Sequence, residues 1–159
     1  MSKKRLQLLG FVILFAGAVF IGARLLIRAI SPRPDDLGAQ DGQLAPCPSY
    51  PACVSSQAAP DDDAHTIAPI IYTGTRDEAR ARILTILRDM EHTTLITADA
   101  TYIYAEVVTP GFRYTDDVEF YFDDAQQVIH VRSSARVPYY DFQVNRKRVE
   151  RIRDLFNNP

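Results

Sequence analysis

The stretch DDVEFYFDDAQQVIHVRSS, residues 116–134, decides the fold of this chain. On both sides of the polar turn at residues 123–127, β-branched and aromatic residues alternate with polar ones, which is typical of a β-hairpin. Because successive side chains of a strand point to opposite faces, one face carries an apolar set: Val118, Phe120, Phe122, Ile129 and Val131. The other face carries a polar set: Asp117, Glu119, Tyr121, His130, Arg132 and Ser134. The stretch therefore predicts an antiparallel hairpin with one face for a core.

The register of this hairpin is open between two alternatives. One register pairs Glu119 with His130 and Asp117 with Arg132, and the other pairs Glu119 with Arg132. Both place acids opposite basic groups. Such a face is either a solvent-facing ladder of ion pairs, each contributing roughly 0.2–1 kcal/mol, or a concave polar surface that accepts a ligand.

Further strand-like runs precede the hairpin. Residues 93–98 and 101–108 are rich in β-branched and aromatic residues and are separated by a short polar turn. Closely joined strands of this kind pair in antiparallel fashion. Residues 66–72 form a shorter candidate, and Pro69 places it at a sheet edge because proline cannot donate to a neighbouring strand.

Two helices are expected beside these strands. Thr75 and Glu78 form a capping box that begins a helix from about residue 76 to 91. A last helix is expected from about residue 142 to 156, with Asp141 as its cap. The predicted fold is α+β, a two-layer domain over residues 64–159 with an antiparallel sheet of about five strands and two helices on one face.

The N-terminal segment, residues 1–30, predicts a cytoplasmic stub and a transmembrane anchor. Sixteen residues without a charge, 8–23, follow a basic cluster. As a helix, residues 8–30 reach about 35 Å, enough to cross a hydrocarbon core of about 30 Å. A signal peptide cleaved after Ala18 or Ala23 is the alternative.

Residues 31–63 are rich in Pro, Asp, Gly, Ala and Ser and are interpreted as a tether that carries a Cys loop. Cys47 and Cys53 have five residues between them, which suits a disulfide if the turn brings their Cα atoms within about 4.4–6.8 Å. Free structural thiols or a reactive Cys are the alternatives. Lys3, Lys4 and Arg5 favour an N-terminus held in the cytoplasm, whereas Arg24, Arg28 and Arg33 favour the opposite orientation. A disulfide indicates export of the Cys loop from the reducing cytoplasm and favours the first orientation. We therefore expect a single-pass protein of the inner (cytoplasmic) membrane with its C-terminal domain in the periplasm or outside.

The distribution of charge restricts the partners. All six basic residues before position 35 lie in a segment without acids, so the rest of the chain has 12 basic and 20 acidic residues and a formal charge of −8. A body of that charge repels nucleic acid and anionic lipid as a whole. Membrane contact is expected through the N-terminal helix, and any anion must bind locally.

Basic residues early in the last helix need partners, because cations there oppose the helix dipole. Arg suits either carboxylate or phosphate, since its fork donates two hydrogen bonds. Either nearby acids compensate, or an anionic ligand binds at an Arg-rich corner of the sheet. The candidate ligand-binding residues are Asp117, Glu119, Arg132, Ser134, Arg136, Asp141, Asn145, Arg146 and Arg148.

Four motifs in order give the chain a family resemblance. They are CPSYPACVSS at 47–56, DDVE at 116–119, RSSAR at 132–136 and DFQVNRKR at 141–148. Together they resemble the bacterial and plastid family known as domain of unknown function 1499, over about residues 44–156. Members of that family often have an export signal or membrane anchor, and often carry glycine where this chain has Pro138 and Gln143. The resemblance implies no agreed activity.

Three functions remain open on the sequence. The first is a membrane-anchored envelope domain that binds an anionic small molecule or partner. The second is a hydrolase-like enzyme that uses Asp117 and Glu119 as an acid–base pair. The third is a structural partner of another membrane protein, through an exposed patch around Tyr139 and Phe142. The chain has no zinc motif, phosphate loop or dinucleotide fingerprint, so we expect neither a metal nor a cofactor.

Overall fold

The structure is a computed structural model that describes residues 3–29, 31–110, 113–137 and 141–158. Its helices are α1 (Lys3–Ala29), α2 (Arg76–Asp89) and α3 (Val144–Asn157). Its strands are β1 (Ala39–Gln40), β2 (Gln43–Leu44), β3 (Cys53–Ser55), β4 (Ile70–Ile71), β5 (Thr93–Ala98), β6 (Tyr102–Val108), β7 (Thr115–Asp123) and β8 (Val128–Ala135). The α+β class is confirmed.

One antiparallel sheet of six strands organises the domain. Its order is β3-β8-β7-β6-β5, and β4 also pairs with β8. The predicted hairpin is β7–β8, with Glu119 opposite Arg132, which is the second of the two expected registers. The sheet exceeds the expected five strands because β3, from the segment interpreted as a tether, pairs with the end of β8.

The core lies between the apolar face of the sheet and the two helices α2 and α3. The predicted apolar set is fully or almost fully buried. Ile83 and Leu87 of α2 and Ile152 and Phe156 of α3 pack in the same cluster. Each such side chain contributes about 1.5–3 kcal/mol when it is removed from water, so this cluster fixes the sheet and both helices as one unit.

The predicted start of α2 is confirmed. The backbone N–H of Glu78 donates to Thr75 Oγ1 over 3.3 Å, and the N–H of Thr75 donates to the Glu78 carboxylate over 2.9 Å. The backbone N–H and the hydroxyl of Thr75, which both donate to the Glu78 carboxylate, lower the pKa of Glu78.

The start of α3 differs from the prediction. The helix begins at Val144, and its N-cap residue is Gln143, whose side chain makes no capping bond. Phe142 and Gln143 have φ values of 54° and 62°, so the chain makes a left-handed turn before the helix. Asp141 nevertheless accepts the backbone N–H of Asn145 over 2.9 Å, and it satisfies a first-turn donor from outside the helix.

The expectation that residues 31–63 form an unpacked tether is wrong for residues 31–57. We call residues 31–57 the cover segment: its first part, which contains the β1–β2 hairpin, lies across the polar face of the sheet, and its end includes β3, which joins the sheet beside β8. Within it, Gln57 accepts the N–H of Leu44 and donates to the carbonyl of Gly42, both over 2.8 Å. The Gly38 N–H donates to Glu119 on the sheet over 2.9 Å. Asp117, Glu119, Arg132 and Ser134 of the polar face are therefore buried, whereas Tyr121 and His130 are half-buried.

The expected disulfide is present. Cys47 and Cys53 are bonded, with their Cα atoms 5.7 Å apart. The bond closes the loop before β3 and so fixes the end of the cover segment beside β8.

The helix α1 spans Lys3–Ala29. Among the residues that the structure describes, no helix combines the length and the apolar character needed to cross a membrane. The transmembrane helix predicted within residues 1–30 is therefore not supported.

Candidate functional site

Strand alternation divides the predicted site residues between the two faces of the sheet. Asp117, Glu119, Arg132, Ser134 and Arg136 lie on the polar face under the cover segment, whereas Asn145 and Arg148 lie on the helix face. The predicted gathering of four arginines at one corner is therefore wrong. It failed because α3 packs on the opposite side of the sheet from Arg132.

Glu119 is the centre of the polar face. Its carboxylate accepts hydrogen bonds from Arg132 Nη1 at 2.8 Å, from the Tyr102 hydroxyl at 2.7 Å and from the Gly38 N–H. Glu119 is 0% exposed and Arg132 is 4% exposed. A buried charge is tolerated only when it is paired and hydrogen-bonded, and these three donors provide that. Burial and the Glu119 charge also raise the pKa of Tyr102.

A second network surrounds Asp117, which is 1% exposed. Arg136 donates to its two oxygens through Nε at 3.0 Å and Nη2 at 2.7 Å, and the Tyr104 hydroxyl donates to it over 2.6 Å. Arg136 also forms an ion pair with Glu106. Burial raises the pKa of Tyr104, and the bond to Asp117 raises it further. Burial alone would lower the pKa of Arg136, but its bonds to the two carboxylates outweigh that and raise it.

A third network lies on the helix face and pairs Arg148, a cation early in α3, with an acid. Arg148 pairs with Asp116, and the Ser133 hydroxyl donates to the Asn145 side chain over 2.6 Å. Asn145 in turn donates to Asp141 over 2.9 Å. Burial raises the pKa of Asp116 although Arg148 opposes this. An acid thus compensates Arg148, which was one of the two expected arrangements.

Arg146 differs from the other three arginines. It donates to the backbone carbonyls of Thr66 at 2.7 Å and Ala64 at 3.0 Å. It therefore holds the loop before β4 against the start of α3.

Sequence reasoning missed a cleft beside Arg136. Its volume is about 310 Å³. It is lined by Ser31, Pro32, Arg33, Glu106, Val108, Arg113, Thr115 and Arg136. Arg33 donates to Glu106 Oε1 through Nε at 2.9 Å and Nη2 at 2.7 Å, across 73 positions of sequence. No local pattern reveals a contact of that span, although the alternation of residues 102–108 does place Glu106 on the polar face.

The cleft has an excess of positive charge. The cleft contains the guanidinium groups of Arg33, Arg113 and Arg136. The two carboxylates of Glu106 and Asp117 form ion pairs with Arg33 and Arg136, so one of the three positive charges is uncompensated. Arg113 is exposed and forms no hydrogen bond or ion pair with another described residue. Burial would raise the pKa of Glu106, but Arg136 and Arg33 outweigh it and lower the pKa. Glu106 is thus ionised at neutral pH.

Unused donors also line the cleft. The Ser31 hydroxyl is buried without a hydrogen-bond partner in the part of the chain that the structure describes. Arg136 uses Nε and Nη2 for its carboxylate partners, and within the same residues Nη1 makes no hydrogen bond. An oxyanion entering the cleft meets guanidinium and hydroxyl donors together.

The aromatic patch expected near residues 137–142 is divided. Val137 is buried, Phe142 is 74% exposed, and residues 138–140, including Tyr139, lie outside the described residues.

His130, half-buried in β8, stacks on Tyr121, and burial lowers its pKa. Across residues 3–29, 31–110, 113–137 and 141–158, no group of three or more His, Cys, Asp or Glu side chains is arranged to hold a metal ion.

Comparison with known proteins gives one match. A family model described as a protein of unknown function (DUF1499) matches residues 43–156, from β2 to α3. The resemblance noted in the sequence is thereby confirmed. No curated protein and no solved structure matches the chain.

Proposed function

The chain belongs to the DUF1499 family, and we propose that it is a membrane-held binding protein that takes an anionic group in the cleft beside Arg136. The observation that carries this proposal is the uncompensated cation of the cleft, in a body, residues 31–159, whose 13 basic and 20 acidic residues give a formal charge of −7. Of the four arginines expected to bind a ligand, Arg136 is the one that lines this cleft. Arg33 and Arg113, which we did not expect, complete it.

The other predicted site residues serve the fold under this proposal. Asp117 and Glu119 are buried, and their oxygens accept hydrogen bonds from Arg, Tyr and backbone donors. A general acid or base must reach the proton that it transfers. The burial of both carboxylates therefore supports binding over the hydrolytic alternative.

Attachment to the membrane is the second part of the proposal. The apolar residues of α1 whose side chains are described, such as Leu14 and Phe15, are 46–75% exposed. Apolar groups in such number are stable only against lipid or protein. With the basic N-terminus inside and the disulfide in an oxidising compartment, the domain lies on the periplasmic side of the inner membrane.

Calorimetry of the full chain in a phosphate-free, non-ionic detergent tests anion binding, with glycerol 3-phosphate as the probe. We expect binding that weakens as salt is raised. Replacing exposed Arg113 by Ala should weaken it about tenfold, because a charge-assisted hydrogen bond contributes about 1.5–3 kcal/mol. The control is Arg151→Ala, which removes an equally exposed Arg from α3. Absence of binding, or equal affinity in the Arg113 variant, would refute the proposed site.

A further inference from the structure

The cleft beside Arg136 has a specific place in the chain, directly after α1. Ser31 and Pro32 form part of its lining, and Ser31 is only two residues beyond Ala29, the last residue of α1. Two residues of extended chain span at most about 7 Å. Whatever surface holds the end of α1 therefore lies next to the cleft.

We propose that the anionic group bound in this cleft is the phosphate ester of a membrane lipid headgroup, an inference that rests on the function proposed above. With α1 in lipid, the cleft lies at the level of the headgroups. The lipid phosphates then act at a high effective concentration, because attachment makes their binding an event at one surface. Even a weak site is occupied under that condition.

The chemistry of the lining fits a phosphodiester. Arg33, Arg113 and Arg136 supply guanidinium groups, which suit phosphate oxygens. Ser31 and Thr115 add hydroxyl donors. The three positive charges of the cleft exceed the two negative charges of Glu106 and Asp117 by one, which matches the single negative charge of a phosphodiester.

The shape of the cleft fits a headgroup and not a whole lipid. Its volume of about 310 Å³ is near the lower end of the ligand pockets of proteins, which span about 300–1,000 Å³. Pro32 and Val108 give it a small apolar edge, which suits a glycerol carbon chain. The acyl chains then stay in the bilayer, beside α1.

Native mass spectrometry of the full chain, released from a phosphate-free, non-ionic detergent, tests the inference. The protein is titrated with phosphatidylglycerol and, separately, with diacylglycerol of the same acyl chains, which lacks the phosphate. We expect retention of phosphatidylglycerol at least about tenfold above that of diacylglycerol. Arg113→Ala should remove most of this difference, Arg113→Lys should restore part of it, and Arg151→Ala should leave it unchanged.

The outcomes separate the two proposals. If glycerol 3-phosphate binds in an Arg113-dependent manner but phosphatidylglycerol is retained no better than diacylglycerol, the site takes a soluble phosphate and the lipid inference is overturned. If neither probe binds, both proposals fail. Equal lipid retention by the parent chain and Arg113→Ala also overturns the lipid inference, because the lipid then contacts α1 alone.

Discussion

Glu119 and Arg132 face each other at the centre of the polar layer, where neither side chain reaches solvent. Strand alternation places both side chains on one face, and their pairing is one of the two registers that the sequence allows. Sequence could not show their burial, because that depends on Gly38 and the rest of the cover segment, which is distant along the chain. The same contact thus has a predictable part, its face, and an unpredictable part, its environment.

Replacing Arg132 by Met should destabilise the fold by about 3–5 kcal/mol, because it leaves the Glu119 carboxylate buried without its cation. The double variant Glu119→Gln/Arg132→Met should lose less than the sum of the two single changes, since both charges are then gone. Urea unfolding of the full chain in detergent measures these free energies. Arg151→Ala should stay within about 0.5 kcal/mol, and strict additivity of the pair would contradict the expected coupling.

Glu106 should make stability depend on pH. Burial alone would raise its folded pKa, but its arginine partners outweigh burial and hold it below the ordinary value of 4.5. A carboxylate with a lowered folded pKa contributes stability above its unfolded pKa, and this is lost as the pH falls through the folded pKa. Glu106→Gln should therefore be less stable than the parent chain at pH 7, and the gap should close below about pH 4.5. Thermal unfolding between pH 3 and 7 measures it, and a constant gap would show that charge is not its cause.

At the scale of elements, a helix or strand can be predicted from sequence when its pattern of residues is long enough to be recognised. The β7–β8 alternation and the capping box at Thr75 are complete local signals, and the structure confirms both. By contrast, β1 and β2 have two residues each and β3 has three, too few for a period to be recognised. These strands form because β8 and the polar face offer hydrogen-bond partners, so their cause is tertiary.

The turn into α3 gives a test at this scale. Gln143 has a φ of 62°, a left-handed conformation that costs a residue with a side chain roughly 1–2 kcal/mol, whereas glycine adopts it freely. Gln143→Gly should stabilise the domain by about 0.5–1 kcal/mol, the remainder being offset by the greater freedom of glycine in the unfolded chain. Urea unfolding measures the gain.

The matched control is Arg151→Gly, at an exposed position in the middle of α3, where glycine should destabilise by roughly 0.5–1 kcal/mol. A loss of stability in Gln143→Gly as well would contradict the left-handed turn. The family resemblance implies glycine where this chain has Gln143, and the left-handed backbone at Gln143 is the conformation that glycine suits.

For the whole molecule, the position of the charges determines the approach to an anionic surface more than the total charge does. The uncompensated cation of the cleft lies at the end next to α1, while the rest of the body has more acids than bases. Fields of one sign repel like-charged surfaces as a whole. A body of this kind approaches an anionic surface with its cationic cleft first, so the position of α1 and the position of the cleft support the same orientation.

That orientation requires α1 to reside in lipid. Leu14 and Phe15 are exposed and lie in the middle of the uncharged run of the helix. An acidic residue at the centre of a membrane helix costs about 2.5–3.5 kcal/mol, so Leu14→Asp/Phe15→Asp should lose about 5–7 kcal/mol of membrane affinity. After an alkaline carbonate wash and ultracentrifugation, the parent chain should be in the membrane pellet and the double variant largely in the supernatant. Leu155→Asp, at an exposed position of α3, should stay with the membrane. An unchanged double variant would show that α1 is not the attachment, and an intact mass lacking the first 18 or 23 residues would show instead that a signal peptide had been removed.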